Sequence, residues 1–350
     1  MSTDAAASLP PLADLLDRLV VVRLPLAARF RGIDVREAAL LSGPEGWTEF
    51  SPFLEYDDAE AAPWLAAAID FGWMPQPEAL RDSIPVNATV PAVRPSAVAG
   101  ILARFDGCRT AKVKVAELGQ VLAEDVARVR AVREAMGVEG RIRIDANGGW
   151  NVDEAEHAIH ALAEFDLEYV EQPCASVEEL AELRARVKYM GIPIAADESV
   201  RKASDPLAVA RAGAADLLVI KAQPLGGTHR ALEIVAAAGL PAVVSSALDS
   251  SVGLSMGLSL AAALPELDYD CGLGTAALLT ADVISPALAP IDGRLPVGRV
   301  TPVTALLAEH AASDERLEWW RARIGRCHAL LADPRERSEI EVGRRAGRVG

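Results

Sequence analysis

The sequence predicts an α/β protein, a (β/α)8-type barrel that follows a smaller N-terminal α+β domain. From about residue 86 to residue 275, short apolar runs alternate with amphipathic stretches in a repeated strand, turn and helix rhythm. A chain of 350 residues is long enough to bury the core of such a barrel and to form the smaller domain as well. Right-handed crossovers between parallel strands would then place the strands side by side in chain order.

The elements follow in order along the chain. Residues 1–85 are predicted to form the α+β domain, with strand-like runs LVVVRLPL and VREAALLSG and a helix over 59–71. The barrel is predicted over 86–275, with strands at 87–93, 110–115, 141–147, 167–173, 193–199, 216–224, 241–248 and 270–275. Amphipathic helices are predicted between them at 121–136, 154–165 and 177–190.

The last part of the chain is predicted to return to the N-terminal domain. Loops follow residue 275, and a helix is predicted over 313–332, so that part of 276–333 completes the α+β domain. Residues 334–350 are rich in Arg, Glu and Gly and contain few apolar side chains. We therefore expect this tail to be disordered.

Three acidic residues stand at equal intervals at the ends of predicted strands. Asp145 ends RIRID, Glu171 ends LEYVE and Asp197 follows PIAA, with 26 residues from each to the next. One strand, one helix and two short loops use about that many residues, so the three carboxylates should lie side by side at one end of the barrel. Uncompensated carboxylates would repel one another, and a hard divalent cation such as Mg²⁺ would remove that conflict.

Lysines flank this acidic series. Lys112 and Lys114 lie two apart on the second predicted strand and so on one face, and Lys221 ends the sixth strand. A lysine inside an apolar strand is costly unless it is paired, which makes these positions candidates for an active site. The second and sixth strands of an eight-stranded barrel face each other. By the same alternation, Arg143 and Asn147 should point into the barrel with Asp145.

The composition narrows the class of partner. A net charge of −15 argues against nucleic acid, which needs a basic face, but allows an anionic small substrate at a locally positive site. No apolar run approaches the ~20 residues of a membrane span, and the first residues show no signal-peptide pattern. Four cysteines without paired spacing suit a reducing cytoplasm. The sequence carries no signal for the oligomeric state.

The motifs KVKV, DANGGW, EQP, ADES and IKAQPLGG, in this order, resemble the enolase superfamily, in the subgroup that includes the muconate-lactonizing enzymes. The resemblance covers nearly the whole chain and identifies residues 1–85 as the capping domain. It implies Mg²⁺ as the cofactor, with Mn²⁺ as an alternative, and a small carboxylate as the substrate. It also implies that Asp145, Glu171 and Asp197 are the metal ligands. Lys114 and Lys221 would be the acid/base lysines, and Lys112 would be the auxiliary lysine.

Within this subgroup the resemblance implies one of several reactions. We expect the dehydration that forms o-succinylbenzoate for menaquinone biosynthesis, because the chain is short and its opening is compact. The loops SSALDSSVG and CGLGTAALL, at the ends of the seventh and eighth strands, would hold the succinyl group. The predicted substrate-binding residues are Arg143, Asn147, Ser245, Ser246, Gly272 and Gly274.

Other reactions remain open at this point. N-acylamino acid racemisation would use a lysine on each face of the substrate, and muconate cycloisomerisation is a further alternative. Dipeptide epimerisation would use an acidic pair near the eighth strand, for which Asp268 and Asp270 are candidates. In the epimerases, however, the second acid directly precedes a glycine, whereas Cys271 intervenes here. A barrel that has lost catalysis would have lost at least one lysine or acid, and all are present.

Overall fold

A computed structural model describes residues 9–30, 32–201 and 205–333 of the chain. Within these residues no helix combines the length and the apolar character needed to cross a bilayer. The predicted disordered tail, 334–350, lies outside the described residues.

The N-terminal part forms an antiparallel sheet covered by helices. Its three strands lie in the order β1, β2, β3. The Asp57 carboxylate accepts a hydrogen bond from the Glu60 N–H and so starts the second helix, as an acidic N-cap does in general. The elements are α1 (Leu12–Asp17), β1 (Val20–Phe30), β2 (Ile33–Gly43), β3 (Gly46–Phe50) and α2 (Asp58–Trp73).

The barrel contains seven parallel strands, which lie side by side in chain order. The first seven predicted strands are confirmed, each with shorter bounds than the sequence indicated. Their side chains alternate between the barrel interior and the surrounding helices, which explains why near-continuous apolar runs mark them in the sequence. The strands are β5 (Ala88–Val90), β6 (Thr110–Lys114), β7 (Arg141–Asp145), β8 (Leu167–Glu171), β9 (Ile194–Ala196), β10 (Leu217–Ile220) and β11 (Ala242–Val244).

The predicted eighth strand at 270–275 is wrong as a regular strand. Only Cys271 and Gly272 pair there, each in a single bridge, with Val86 and Ser245 respectively. A 3-10 helix then begins at Gly274. Glycine is a weak strand former, and two glycines in this short segment leave few side chains to pack in a ladder. The barrel is therefore closed by one short seam between β11 and the residues just before β5.

Helices connect the strands, and several begin where polar side chains cap them. Asn151 and Glu154 exchange hydrogen bonds with each other's backbone N–H groups at the start of α5, and Ser176 and Glu179 do the same at α6. The helices are α3 (Val98–Leu102), α4 (Leu122–Met136), α5 (Val152–Leu162), α6 (Val177–Val187), α7 (Glu198–Arg201), α8 (Ala208–Arg211), α9 (Thr228–Ala238) and α10 (Ser251–Ala263).

After the barrel the chain returns to the N-terminal sheet. Strand β12 (Arg294–Pro296) pairs with β4 (Ser83–Pro85), and α11 (Thr304–Glu309) leads to α12 (Asp314–Ala332). Helix α12 packs on α2, with Trp320 fully buried in a T-shaped contact with Phe50. The indole N–H of Trp320 donates to the Glu37 carboxylate at 3.0 Å. The helix predicted over 313–332 thus covers the N-terminal domain.

Candidate active site

Six charged side chains meet at the carboxyl ends of neighbouring barrel strands. Lys114, Asp145 and Glu171 are the last residues of β6, β7 and β8, and they pair with one another across the ladder. Asp197 and Lys221 directly follow β9 and β10. Lys112, the sixth, lies two residues before Lys114. Parallel strands in chain order therefore bring together residues that are more than one hundred positions apart in the sequence.

The lysines and the acids are paired with each other. The Lys112 ammonium donates to both oxygens of Glu171 at 3.0 Å and lies 3.5 Å from Asp145 Oδ2. Lys114 Nζ is 2.5 Å from Asp145 Oδ2, and Lys221 donates to Asp197. All three carboxylates are buried. Each negative charge is thus neutralised by an adjacent ammonium, as buried charges require.

Burial and neighbouring charges shift the ionisation of these groups. Burial, with a contribution from the charge of Asp145, raises the pKa of Glu171 to about 8. Burial also disfavours the ionised form of Asp197, but Lys221 and Arg201 lower its pKa to about 2. Burial lowers the pKa of Lys221 despite the opposing effect of Asp197. The site therefore contains a carboxyl group that titrates near neutral pH and an amine that loses its proton more easily than a solvated lysine.

The three carboxylates have the donor chemistry of a site for a hard divalent cation. They are buried oxygen donors on adjacent strand ends, where a cation would offset their mutual repulsion. Among the described residues, however, no three His, Cys, Asp or Glu side chains converge closely enough to surround an ion as they stand. Lys112 bridges two of the three acids, Glu171 and Asp145. An ion held by these acids would have to displace the Lys112 ammonium from them.

A cavity opens above the charged cluster. It encloses about 520 Å³ of empty space, part of it open to solvent. The three lysines reach its wall, whereas the three carboxylates lie beneath them. The residues that line the cavity are Phe30, Phe53, Trp64, Thr89, Lys112, Lys114, Asn147, Arg201, Lys221, Pro224, Ser245, Ser246, Ala247, Leu248, Gly272 and Thr275.

Four of the six predicted substrate-binding residues line this cavity. Asn147 accepts a hydrogen bond from Lys114 Nζ at 2.6 Å. Ser246 Oγ donates to the Gly272 carbonyl at 2.9 Å, and Ser245 lies so close to Gly272 that a side chain there would overlap Ser245 Oγ. The packing of Ser245 therefore requires a glycine at position 272.

Arg143 and Gly274 lie outside the cavity. Arg143 is fully buried deeper in the barrel, where it is paired with Glu168 and donates to the Asp270 carbonyl at 2.6 Å. It points into the barrel as alternation predicts, but two residues before the strand end. Gly274 is packed against the Asn87 carbonyl and Phe105. Their positions do not support a role in substrate binding.

Asp270, the second acid before the closing seam, is also remote from the lysines. Asp270 Oδ2 accepts hydrogen bonds from Thr110 Oγ1 and Arg141 Nη2, both at 2.6 Å. Thr110 and Arg141 are the first residues of β6 and β7, at the amino end of the barrel. Asp270 therefore supports the end of the barrel opposite the cavity.

Sequence reasoning missed several residues of the cavity wall. Arg201 stands one helical turn after Asp197, and its Nε donates to Asp197 Oδ1 at 3.0 Å; the spacing of four could have indicated it. Phe30, Phe53 and Trp64 come from the N-terminal domain. Only the packing of this domain on the barrel reveals their position.

Family models match both parts of the chain. A model described as enolase C-terminal domain-like matches residues 97–302, and one described as enolase N-terminal domain-like matches residues 21–72. The first match alone covers more than half of the chain. The chain belongs to the enolase superfamily. The predicted resemblance is thereby confirmed, and the strand-end cluster lies within the matched C-terminal region.

Close relatives in this superfamily cover almost the whole chain. A Mycolicibacterium smegmatis protein named o-succinylbenzoate synthase is 58% identical over 323 residues, which are 92% of this chain and 98% of the relative. A Mycobacterium tuberculosis protein of the same name is 57% identical over 324 residues, 92% of this chain and 97% of the relative.

Solved structures of enolase superfamily members share the fold at lower identity. The muconate lactonizing enzyme of Pseudomonas fluorescens superimposes with a TM-score of 0.71 at 20% identity, over 84% of this chain and 98% of that one. The dipeptide epimerase of Enterococcus faecalis gives a TM-score of 0.64 at 20% identity, over 81% and 97%. These likenesses establish the barrel with its N-terminal α+β domain.

Proposed function

We propose that this protein is an o-succinylbenzoate synthase, a lyase of menaquinone biosynthesis. The reaction is the syn-dehydration of 2-succinyl-6-hydroxy-2,4-cyclohexadiene-1-carboxylate to 2-succinylbenzoate. The observation that carries this choice is the identity of 57–58% to proteins of that name, over nearly the full length of both chains. The lysines and Arg201 that line the cavity supply cationic groups for the carboxylates of such a substrate.

In this proposal the two strand-end lysines have different roles in the reaction. Lys114 acts as the base that removes the proton next to the ring carboxylate, and the C–H electron pair moves toward that carboxylate. The resulting ammonium then protonates the hydroxyl that leaves from the same side, so that water departs and the ring becomes aromatic. Lys221 directly follows β10, four strands from β6, and in this proposal its ammonium lies on the other side of the ring. There it stabilises the negative charge that develops.

Asp145, Glu171 and Asp197 are the residues that would hold Mg²⁺, or Mn²⁺ in its place. When bound, the ion would act as a Lewis acid toward the substrate carboxylate. Support comes from the buried oxygen donors on adjacent strand ends and from the superfamily to which the chain belongs. Lys112, the auxiliary lysine, neutralises Glu171 and Asp145 when no ion is present.

The substrate-binding part of the proposal rests on the cavity wall. Ser245 and Ser246 present hydroxyl groups, and the backbone at Gly272 comes close to them. We place the succinyl carboxylate there. The ring centroid of Phe30 lies 5.6 Å from Lys114 Nζ. Phe30 and Phe53 form the apolar wall that would face the ring of the substrate.

We also propose that the protein works in the cytoplasm, with no nucleic-acid or membrane partner. The four cysteines are all free thiols, which suits a reducing compartment. The net charge of −15 disfavours phosphate backbones and anionic lipid surfaces.

Turnover of the cyclohexadiene substrate tests the function directly. With Mg²⁺ present, the ultraviolet spectrum should change as the aromatic product forms, and EDTA should stop the reaction. Asp145→Asn and Asp197→Asn should each weaken Mg²⁺ binding, measured by calorimetry, and remove most turnover. Failure of the purified protein to form the aromatic product with Mg²⁺ would refute the proposed reaction.

Racemisation is the second candidate, because Lys114 and Lys221 both line the cavity and lie at the ends of strands that are four apart in the sheet. Incubation with an N-succinylamino acid in D₂O distinguishes it from dehydration. A racemase exchanges the α-proton and interconverts the enantiomers, and Lys114→Ala should then abolish exchange for one enantiomer only. A dehydratase turns over the cyclohexadiene much faster than either enantiomer exchanges.

A further inference from the structure

A buried arginine of the N-terminal domain holds the loop that follows β11. Arg36 lies on β2 and is 2% exposed. Its Nε donates to the Leu248 carbonyl at 3.2 Å and its Nη2 to the Ala247 carbonyl at 3.3 Å. Ala247 and Leu248 line the cavity, whereas Arg36 does not. The guanidinium thus contacts residues of the cavity wall without lining the cavity itself.

The same guanidinium also contacts the N-terminal side of the cavity. Nη2 donates to Ser51, both to its backbone carbonyl and, at 3.1 Å, to its hydroxyl. The guanidinium carbon lies 4.4 Å above the Phe53 ring. Phe53 lines the cavity, as the β11 loop does. One side chain therefore connects two walls that come from different domains.

The loop that Arg36 holds has a strained backbone. Leu248 has a φ of 63°, in the left-handed region that side chains other than glycine and asparagine rarely adopt. Such a conformation persists only where the surroundings impose it. The bonds from Arg36 to two successive carbonyls are contacts that do so, because they orient the peptide groups on both sides of the bend.

Two buried acids, Glu49 and Asp249, lie near Arg36, whose charge opposes the rise in pKa that burial causes in each of them. Glu49 on β3 accepts from the backbone N–H groups of Ser250 and Gly253, both at 3.2 Å, at the start of α10. Asp249 accepts from Gln223 Nε2 at 2.9 Å, and Gln223 stands two residues after Lys221. Both acids are fully or almost fully buried. This buried polar group therefore reaches from the N-terminal sheet to the segment just after β10 that carries Lys221.

We propose that Arg36 is a positioning residue for the active site: by holding the carbonyls of Ala247 and Leu248, it keeps the 245–249 loop in the shape that receives the tail of the substrate. The substrate named here rests on the function proposed above. Lysine cannot replace arginine in this role, because a single ammonium cannot reach two carbonyls and a serine side chain with fixed planar geometry.

The test compares Arg36→Lys with a matched control, Arg81→Lys. Arg81 also donates to backbone carbonyls, those of Ala261 and Leu264, but at the far end of α10 and away from the cavity. In Arg36→Lys, kcat/KM for the cyclohexadiene and the affinity for o-succinylbenzoate should each fall by about ten- to a hundredfold, since small misplacements of binding groups have effects of this size. Calorimetric Mg²⁺ affinity should not change, and Arg81→Lys should behave like the wild type.

Amide hydrogen exchange separates this inference from the proposed function. Exchange at 245–249 should accelerate in Arg36→Lys but not in Arg81→Lys, whatever the reaction of the protein. If the wild type neither binds o-succinylbenzoate nor forms it, the proposed function fails while the exchange comparison still tests Arg36. Unchanged exchange in this loop, or acceleration spread evenly over the barrel with loss of Mg²⁺ affinity, would overturn the positioning role.

Discussion

Replacement of Lys112 by methionine tests whether an ammonium and a metal ion serve the same carboxylates. Lys112 is buried and is the ammonium that contacts both Glu171 oxygens, at 3.0 Å. Asp145 would keep Lys114 as its partner, so Lys112→Met leaves one carboxyl group, that of Glu171, without this cation. Removal of one partner of a buried ion pair typically costs about 3–5 kcal/mol. We expect the lower end, about 3 kcal/mol, because only one carboxylate loses its lysine and because Glu171, whose pKa burial already raises to about 8, can take up a proton instead.

The measurement is urea unfolding of Lys112→Met and wild type, with EDTA and with Mg²⁺. In EDTA the variant should be less stable by about 3 kcal/mol, and with saturating Mg²⁺ the difference should shrink to under about 1 kcal/mol, because the ion replaces the missing charge. Lys188→Met, which removes an exposed lysine, is the control and should change stability by less than about 0.5 kcal/mol. An equal deficit for Lys112→Met in EDTA and in Mg²⁺ would show that the ion does not bind at these carboxylates.

Three further predictions concern residues outside the charged cluster. Gly272→Ala should displace Ser245 and lower both kcat/KM and the melting temperature, and a variant with wild-type values for both would contradict the tight packing at the seam. Asp270→Ala should cost about 1–3 kcal/mol of stability in urea unfolding through lost hydrogen bonds, with kcat/KM retained; a crippled but stable enzyme would instead favour the epimerase. The hydrogen bond to Asp70 raises the pKa of His229 above its usual 6.5, so this pair stabilises the fold most at low pH and less as the pH rises past the raised value. His229→Gln should therefore be more destabilising at about pH 5.5 than at about pH 8.5, and a deficit independent of pH would refute it.

The charged cluster could be predicted because the geometry of parallel strands determines which residues of the sequence become neighbours in space. A period of two places Lys112 and Lys114 on one face, and an equal spacing of 26 residues places Asp145 and Glu171 at equivalent strand ends. The same rule places Arg143 inside the barrel. The rule does not show which side chains surround Arg143 at that depth of the barrel. There Arg143 is paired with Glu168 and is not available to a ligand.

The walls above the cluster could not be predicted in the same way. Phe53 and Trp64 reach the cavity through the docking of one domain on another, and no local period in the sequence encodes that contact. The eighth strand failed for a related reason. Apolar residues around Cys271 indicated a strand, but the extended path there is set by one bridge to each neighbouring strand, with a helical turn immediately after Gly272 and Leu273.

The contact between Trp320 and Glu37 joins residues 283 positions apart and has a consequence for biosynthesis. The N-terminal sheet is translated first, yet α12, which covers it, is translated after the whole barrel. On the ribosome the apolar face of the sheet therefore stays uncovered while the strands β5 to β11 emerge and pair. Contacts between residues so far apart in the sequence slow folding and lengthen the time for which hydrophobic surface is accessible. Chaperone dependence of the nascent chain should accordingly be concentrated in the interval before α12 leaves the exit tunnel.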